Sequence, residues 1–182
     1  MRAAHRLRML VVAAVATALL VGVGVLGVST ARRAGLIGPG EVPQQYRALV
    51  LEAAELCPKV PVEVLAAQLA NESSWDPRAV SPAGAQGIAQ FMPRVWEQVG
   101  KDANDDGRAD VWDPEDAIPS AAAFNCHNRR LVKDVSGNRL RNTLAAYNAG
   151  FAAVRRYGGV PPYPETQAYV ARILADAKTI SW

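Results

Sequence analysis

From Gln44 onward, apolar residues recur at intervals of three and four. Gln44 to Leu56 carries Tyr46, Leu49, Val50 and Ala53 at i, i+3, i+4 and i+7, which predicts an amphipathic helix. Pro61 stands at the start of a second, Val62 to Ser73, with Leu65, Leu69 and Glu72 along one face. Trp75 to Gly87 holds two prolines and two glycines and reads as a loop. Ile88 to Val99 is a short helical stretch, with Pro93 either kinking it or opening its second part. Ala117 to Val135 predicts a longer helix. Leu140 to Asn148 predicts another, stopped by Gly150. Pro164 opens a last one that runs to about Lys178, with Tyr169, Ile173 and Ala177 in register. No stretch alternates convincingly with period two, so the pattern predicts an all-α globule with at most a minor hairpin.

The N-terminal 33 residues follow a different pattern. Arg2, Arg6 and Arg8 precede an uncharged run of 23 residues, Met9 to Ala31, and Arg32 and Arg33 follow it. The run exceeds the ~20 residues that cross a bilayer as a helix. It is longer than the ~7–15-residue core of a cleaved signal peptide, although Ser29-Thr30-Ala31 has small residues where cleavage requires them. The segment is therefore expected to be a signal-anchor or a signal peptide, with the anchor favoured by length. In both cases the arginines stay inside and residues 34–182 are exported. Residues 34–43, rich in glycine and proline, form a linker, and 44–182 a single folded domain.

Charge changes the picture only through its placement. The 182-residue chain has 20 basic and 17 acidic residues, a formal net charge of +3. Five of the basic residues lie in 1–33 with no acid, which leaves 34–182 at −2. The basic excess is the targeting signal, so nucleic acid is not expected as a partner. Two histidines and two cysteines exclude a histidine-rich metal site and a multi-cysteine zinc module. No phosphate-binding glycine pattern is present. Export favours a Cys57–Cys126 disulfide over two free buried thiols. It would close about 70 residues and contribute roughly 4 kcal/mol in the chain-entropy model.

Glu72 alone is a glutamate near a helix end, where a solvated surface role is the ordinary reading. Its position one turn beyond Leu69 and two beyond Leu65 puts it on the apolar face instead. Removal from water and the carbonyl end of the helix both raise a carboxyl pKa, as a glycosidase general acid requires. The sequence that follows carries a resemblance. Glu72-Ser73-Ser74-Trp75-Asp76-Pro77, then Ala79-Val80-Ser81-Pro82-Ala83-Gly84-Ala85, then Gln86-Gly87-Ile88-Ala89-Gln90-Phe91-Met92-Pro93 resembles the signature of the soluble lytic transglycosylase domain. Ala146-Tyr147-Asn148-Ala149-Gly150 resembles the family's second motif. Pro164-Glu165-Thr166-Gln167-Ala168-Tyr169-Val170 resembles its third, with Gln167 where arginine is more usual. The three blocks occur in the family's order and span most of the exported part.

The resemblance implies a lysozyme-like α fold, shared with goose-type lysozyme. It implies cleavage of the β-1,4 bond between N-acetylmuramic acid and N-acetylglucosamine in peptidoglycan glycan strands, with 1,6-anhydro products. Glu72 falls on the catalytic glutamate, acting as acid and then as base. One enzyme carboxylate suffices because the C6 hydroxyl of the substrate is the nucleophile, unlike the two-carboxylate scheme of most glycosidases. Asp76 reads as a turn former before Pro77. Ser81 and Gln90 are candidate sugar-binding residues, with turn and helix-polar roles as the alternative. Tyr147 and Asn148 are expected to face Glu72 across the cleft, with the tyrosine hydroxyl orienting it; their alternatives are core aromatic and helix cap. Tyr169 reads equally as core or site. Gly84 and Gly87 allow tight turns beside the substrate.

A second constellation lies between the first and second blocks. Asp102, Asn104, Asp106, Asp110 and Asp113 occupy positions 1, 3, 5, 9 and 12 of a loop whose position 6 is Gly107. This is nearly the EF-hand pattern. Calcium takes 6–8 oxygens at roughly 2.3–2.6 Å, and Arg108 would add its backbone carbonyl. The alternative is a solvated acidic loop, against which four converging carboxylates would repel one another. Asp113 is shorter than the usual glutamate, and Ala109 stands where a larger apolar residue is usual. Some membrane-bound lytic transglycosylases resemble this arrangement, including Trp112-Asp113-Pro114-Glu115-Asp116-Ala117-Ile118 after the loop, which implies a structural Ca2+ and no catalytic metal. The rival readings are a lysozyme-type hydrolase on the same fold, a non-catalytic wall-binding module, and a calcium sensor, which a single loop disfavours. Arg129-Arg130 and Arg155-Arg156 are basic pairs of the kind that are usually just solvated.

Overall fold

The structure, a computed structural model, describes residues 40–182. The N-terminal segment expected over 1–33 and most of the linker expected over 34–43 lie outside the described residues. None of the described helices is long and apolar enough to cross a membrane.

Seven helices make up the described domain: α1 Gln44–Glu55, α2 Val62–Ser73, α3 Pro93–Val99, α4 Pro114–Leu131, α5 Arg139–Ala149, α6 Phe151–Tyr157 and α7 Pro164–Asp176. A short 3-10 turn, Ala177–Thr179, follows. No strand forms among these residues beyond isolated bridges, Val80 with Gln86 and Gln86 with Phe91 in the loop after α2, and Glu41 with Ser181. The fold is all-α, as the periodicity predicts.

The boundaries move where local chemistry overrides periodicity. The helix expected over 88–99 begins only at Pro93, whose ring suits the first helical position. Before it, Ile88, Ala89 and Phe91 are buried by a tight reversal in which Gln86 and Phe91 exchange backbone hydrogen bonds of 2.9 and 3.0 Å. Periodicity registers their burial but not the turn. Helix α4 starts three residues earlier than expected, because Asp113 caps it by accepting the Glu115 N–H at 2.8 Å and Pro114 opens it. It tolerates Pro119 in its interior and ends at Leu131. The apolar pattern does not predict helix α6. That helix buries Val154 alone, too little to print a periodicity.

Helix α2 sits between two cores. Leu65, Ala66 and Leu69 join Val50, Ile88, Phe91 and Ile118 on one side, whereas Val64 and Ala67 join Leu144, Val154, Val170 and Ile173 on the other. Alanines at 66 and 67 let neighbouring elements approach closely. It packs against α1 on one flank and against α7 and the 3-10 turn on the other. Few places on such a helix face water; Glu72 stands in its C-terminal turn, partly exposed. The Cys57–Cys126 disulfide ties the turn after α1 to α4, with Cα atoms 5.4 Å apart. The Val42 N–H donates to Ser181 and the Ser181 N–H to Gly40, at 3.0 and 2.8 Å, which joins the two ends of the described domain.

Candidate active site

Helix α2 ends in a left-handed cap. Ser74 has φ +55° and its N–H donates to the Ala70 carbonyl, and Trp75 follows at φ +68°. Two left-handed residues in succession turn the chain sharply off the helix axis, and the Trp75 ring stacks on Tyr46 with centroids 5.9 Å apart. Glu72, in the last turn, is only partly accessible. Its Oε1 accepts a 2.5 Å hydrogen bond from the hydroxyl of Tyr169 on α7. Burial pushes the Glu72 carboxyl from an ordinary 4.5 up to about 7, and the bond from Tyr169 pulls against that rise. Burial, and then the charge of Glu72, hold Tyr169 and Tyr147 well above the usual phenol range, so both stay neutral donors.

The loop after α2 is stitched to three elements. Ser73 Oγ donates to the Ile88 carbonyl at 2.8 Å, anchoring the loop to α2. Tyr147 of α5 donates its hydroxyl to the Ala89 carbonyl at 2.8 Å. Gly87, at φ +74°, lies so close to the Val111 carbonyl that a Cβ there would sit 2.1 Å from that oxygen. Glycine is required by backbone angle and by contact together. Within the loop, Gln90 Nε2 bridges the Ala79 and Gly87 carbonyls at 3.1 and 2.9 Å. Ser81 Oγ accepts the Ala85 N–H at 3.0 Å. Asp76 accepts the Arg78 N–H at 2.8 Å from an exposed position, the turn-forming role expected of it. Phe91 anchors the underside, in ring contact with Trp96, Phe124 and Tyr147 at centroid distances of 5.3, 6.0 and 5.9 Å. A cavity of about 640 Å³ between α1, the acidic loop and the start of α4 is lined by residues that do not include Glu72.

The acidic loop turns its side-chain oxygens onto its own backbone. Asp102 accepts from the Asp106 and Gly107 N–H groups at 3.1 and 2.8 Å, Asn104 from Asp106 at 3.1 Å, and Asp106 from Arg108 at 2.9 Å. Asp110 Oδ2 pairs with the Arg108 guanidinium and its Oδ1 accepts the Trp112 N–H. Asp113 divides its oxygens between capping α4 and facing the Asn104 amide at 3.1 Å. Beneath them Asp116, fully buried, accepts from the Ala103 and Asp110 N–H groups at 2.7 and 2.8 Å and holds the loop's two ends together. The donor set is all oxygen, which suits a hard cation such as calcium. Among the described residues, no three acidic, cysteine or histidine side chains converge on one point. Ion binding therefore requires Asp110 to leave Arg108 and the ring to draw in.

The likeness of this chain to known proteins is specific. The family model of the transglycosylase SLT domain matches residues 50–170. The chain belongs to this family. Similar proteins include the membrane-bound lytic murein transglycosylase F of Maricaulis maris, 40% identical over 108 residues, covering 58% of this chain and 22% of the relative. The soluble lytic murein transglycosylase of Escherichia coli is 29% identical over 133 residues, covering 64% of this chain and 20% of that one. Among solved structures, the 70 kDa soluble lytic transglycosylase of Escherichia coli aligns with a TM-score of 0.55 and 26% identity over 69% of this chain and 22% of its own. The complex of a 70 kDa soluble lytic transglycosylase with bulgecin A aligns with a TM-score of 0.59 and 26% identity, over 74% of this chain and 24% of that one. The chain thus spans about a fifth to a quarter of the length of these relatives.

In this SLT domain the tyrosine on Glu72 differs from the one expected. The sequence points to the Tyr147 hydroxyl, but that group donates to the Ala89 carbonyl and fixes the loop. Tyr147 remains near enough for the charge of Glu72 to act on it. Tyr169, which reads equally as core or site, is 5% exposed and donates to Glu72. Asn148 is exposed near the end of α5 and accepts the Thr166 hydroxyl at 2.7 Å; Gly150, at φ +81°, caps the helix. Ser81 and Gln90 stand in the loop after Glu72, and their turn-forming bonds leave both side chains partly exposed. Sequence reasoning missed Gln68 and Asn125, which lie buried behind Tyr169. The signal was available for Gln68: a polar residue one turn before Glu72 on a helix otherwise apolar there.

Proposed function

We propose that this SLT domain is a peptidoglycan lytic transglycosylase that cleaves the β-1,4 bond between N-acetylmuramic acid and N-acetylglucosamine. The observation that carries the reading is Glu72, desolvated, half-protonated at about pH 7, and bonded to a neutral tyrosine. Protonated Glu72 gives its proton to the glycosidic oxygen as the C1–O bond breaks. The resulting carboxylate takes the proton from the muramyl C6 hydroxyl while that oxygen bonds to C1. The products are a free C4 hydroxyl and a 1,6-anhydro end, and no water is consumed. A carboxyl poised at neutrality serves both halves, and Tyr169 steadies the charged form between them. Ser81, Gln90, Tyr147 and Asn148 would bind the glycan strand around that centre.

The acidic loop would hold one structural Ca2+ through Asp102, Asn104, Asp106, the Arg108 carbonyl, Asp110 and Asp113. Bound there, the ion would supply positive charge that gathers the loop, remote from the proton transfers. The N-terminal segment, flanked by arginines, would place the domain on the outer side of the membrane, in the cell envelope.

The test is mass spectrometry of muropeptides released from purified peptidoglycan by the chain, with Glu72→Gln alongside. The expected products are one water lighter than reducing-end muropeptides and are absent with the variant. Reducing-end products would make the enzyme a hydrolase. No products from a folded, calcium-supplied protein would leave a wall-binding module.

A further inference from the structure

A chain of polar groups runs from the core to Glu72. Asn125 Nδ2, on α4, donates to Gln68 Oε1 at 2.7 Å. Gln68 Nε2, on α2, donates to the Tyr169 hydroxyl oxygen at 3.1 Å, and that hydroxyl donates to Glu72 Oε1 at 2.5 Å. Gln68 and Asn125 are 1% and 0% exposed, so no water competes for these bonds. A side-chain amide has one end that only donates and one that only accepts. With its oxygen held by Asn125, Gln68 can present only N–H to Tyr169. The hydroxyl proton cannot point at a donor, so it points at Glu72.

The opposite polarity fails in one protonation state. Were Gln68 reversed, its oxygen would take the tyrosine proton, and an ionised Glu72 would face a hydroxyl lone pair at 2.5 Å. That arrangement suits only protonated Glu72. The polarity with Asn125 Nδ2 on Gln68 and Gln68 Nε2 on Tyr169 suits both forms. We propose that Gln68, its amide oriented by Asn125, is a positioning residue that aims the Tyr169 proton at Glu72 and so supports the carboxylate needed for the second half of the reaction. The proposal rests on the transglycosylase reading for its role in turnover, but the proton orientation itself is measurable without substrate.

Asn125→Asp keeps the shape and replaces the donor by an acceptor. Where the introduced carboxyl is ionised, Gln68 has to turn its N–H towards it and its oxygen to Tyr169, which draws the hydroxyl proton off Glu72; the position is fully buried, so that carboxyl is followed in the same titration. Tyr169 from α7 acts on Glu72 through its hydrogen bond, and Tyr147 from α5 feels the charge of Glu72; both stay neutral. The experiment is a 13C-carboxylate NMR titration of Glu72 in the full chain, for wild type, Asn125→Asp, Tyr169→Phe and the double variant, with thermal melting as the check on folding. The expected result is an upward move of the Glu72 midpoint in Asn125→Asp by about one unit or more, nearly abolished in the Tyr169→Phe background. An equal move in both backgrounds would be a through-space charge effect and would overturn the proposal. So would an unmoved midpoint in folded Asn125→Asp over the pH range in which its introduced carboxyl is ionised. Should that variant not fold or its introduced carboxyl stay protonated, Gln68→Glu, which offers Tyr169 a competing acceptor once ionised, gives the same two outcomes. The alkaline limb of activity should move with the NMR midpoint. Loss of activity in the wild type would count against the proposed function and leave the titration intact.

Discussion

Two sets of carboxyl groups in this domain meet opposite fates. Glu72 stands singly at the end of a helix buried on both flanks, and Tyr169, which donates to it, is itself buried. The acids of residues 102–113 crowd an exposed loop, and nearly all are satisfied by backbone N–H groups within a few residues. Burial displaces the ionisation of Glu72 to about 7. The contrast teaches that reactivity comes from what a carboxyl is deprived of, and local order from what it is given. Number of acids predicts neither.

The sharpest test of the contrast is Glu72→Gln. Loss of the proposed general acid is expected to lower muropeptide release by about 10²–10⁴-fold with the fold intact, measured by product yield and by circular dichroism. A comparable loss from Asp102→Ala without calcium would break the comparison, because chemistry would then lie in both regions. The wild-type rate constant at low substrate should also fall as pH rises through about 7, since the acid form begins the proposed reaction.

Next in size is Asp116→Ala. This acid is the exception within its region, fully buried under the loop and bonded to the N–H groups of Ala103 and Asp110. Removing it is expected to cost about 2–3 kcal/mol in urea unfolding. A loss below about half a kcal/mol would mean that water replaces it and that the loop needs no support from beneath.

A smaller effect separates the stability of the site from its chemistry. Glu72 ionises at about 7 in the folded state against an ordinary 4.5, so its folded pKa is raised. Its contribution is fully present below the unfolded value and is lost as pH rises through about 7. Glu72→Gln suffers no such loss. The variant should therefore be more stable than wild type by about 1–2 kcal/mol at about pH 8, allowing for partial exposure, and show no advantage at about pH 4. Denaturant melts at the two pH values decide it, and an equal advantage at both would show that the carboxyl is not desolvated.

Smallest is Asp102→Ala in calcium-free buffer, expected to change stability by roughly 0.5–1 kcal/mol, since water can serve the two exposed N–H groups it releases. Added calcium should then raise the melting temperature of the wild type and not of the variant. An identical response in both removes the loop as an ion site.

Much of this is legible in the sequence because it is local. Apolar spacing marks α1, α2 and α7, and the Gly-Pro punctuation marks the loop after α2. The position of Glu72 beyond Leu65 and Leu69 already implies desolvation. What is not legible depends on contacts far apart in the chain. Tyr169 and Glu72 are 97 residues apart, and only the packing of α7 on α2 decides that this hydroxyl, not that of Tyr147, reaches the carboxylate. Asp113 illustrates a different limit: the same residue type at one position suits a helix cap and an ion ligand, and spacing alone does not choose. The tight reversal at Gln90, φ +51°, hides in a stretch whose apolar residues read as helix, because burial is common to both.

The pairing of Gly40 and Val42 with Ser181 has a bearing on how the domain can be rebuilt. Its first and last residues meet edge to edge, so the described chain is topologically almost a ring. A short bridge should close that ring, and new ends can be opened at an exposed turn such as the one around Gly137, with α2 and Glu72 left in the interior of the permuted sequence.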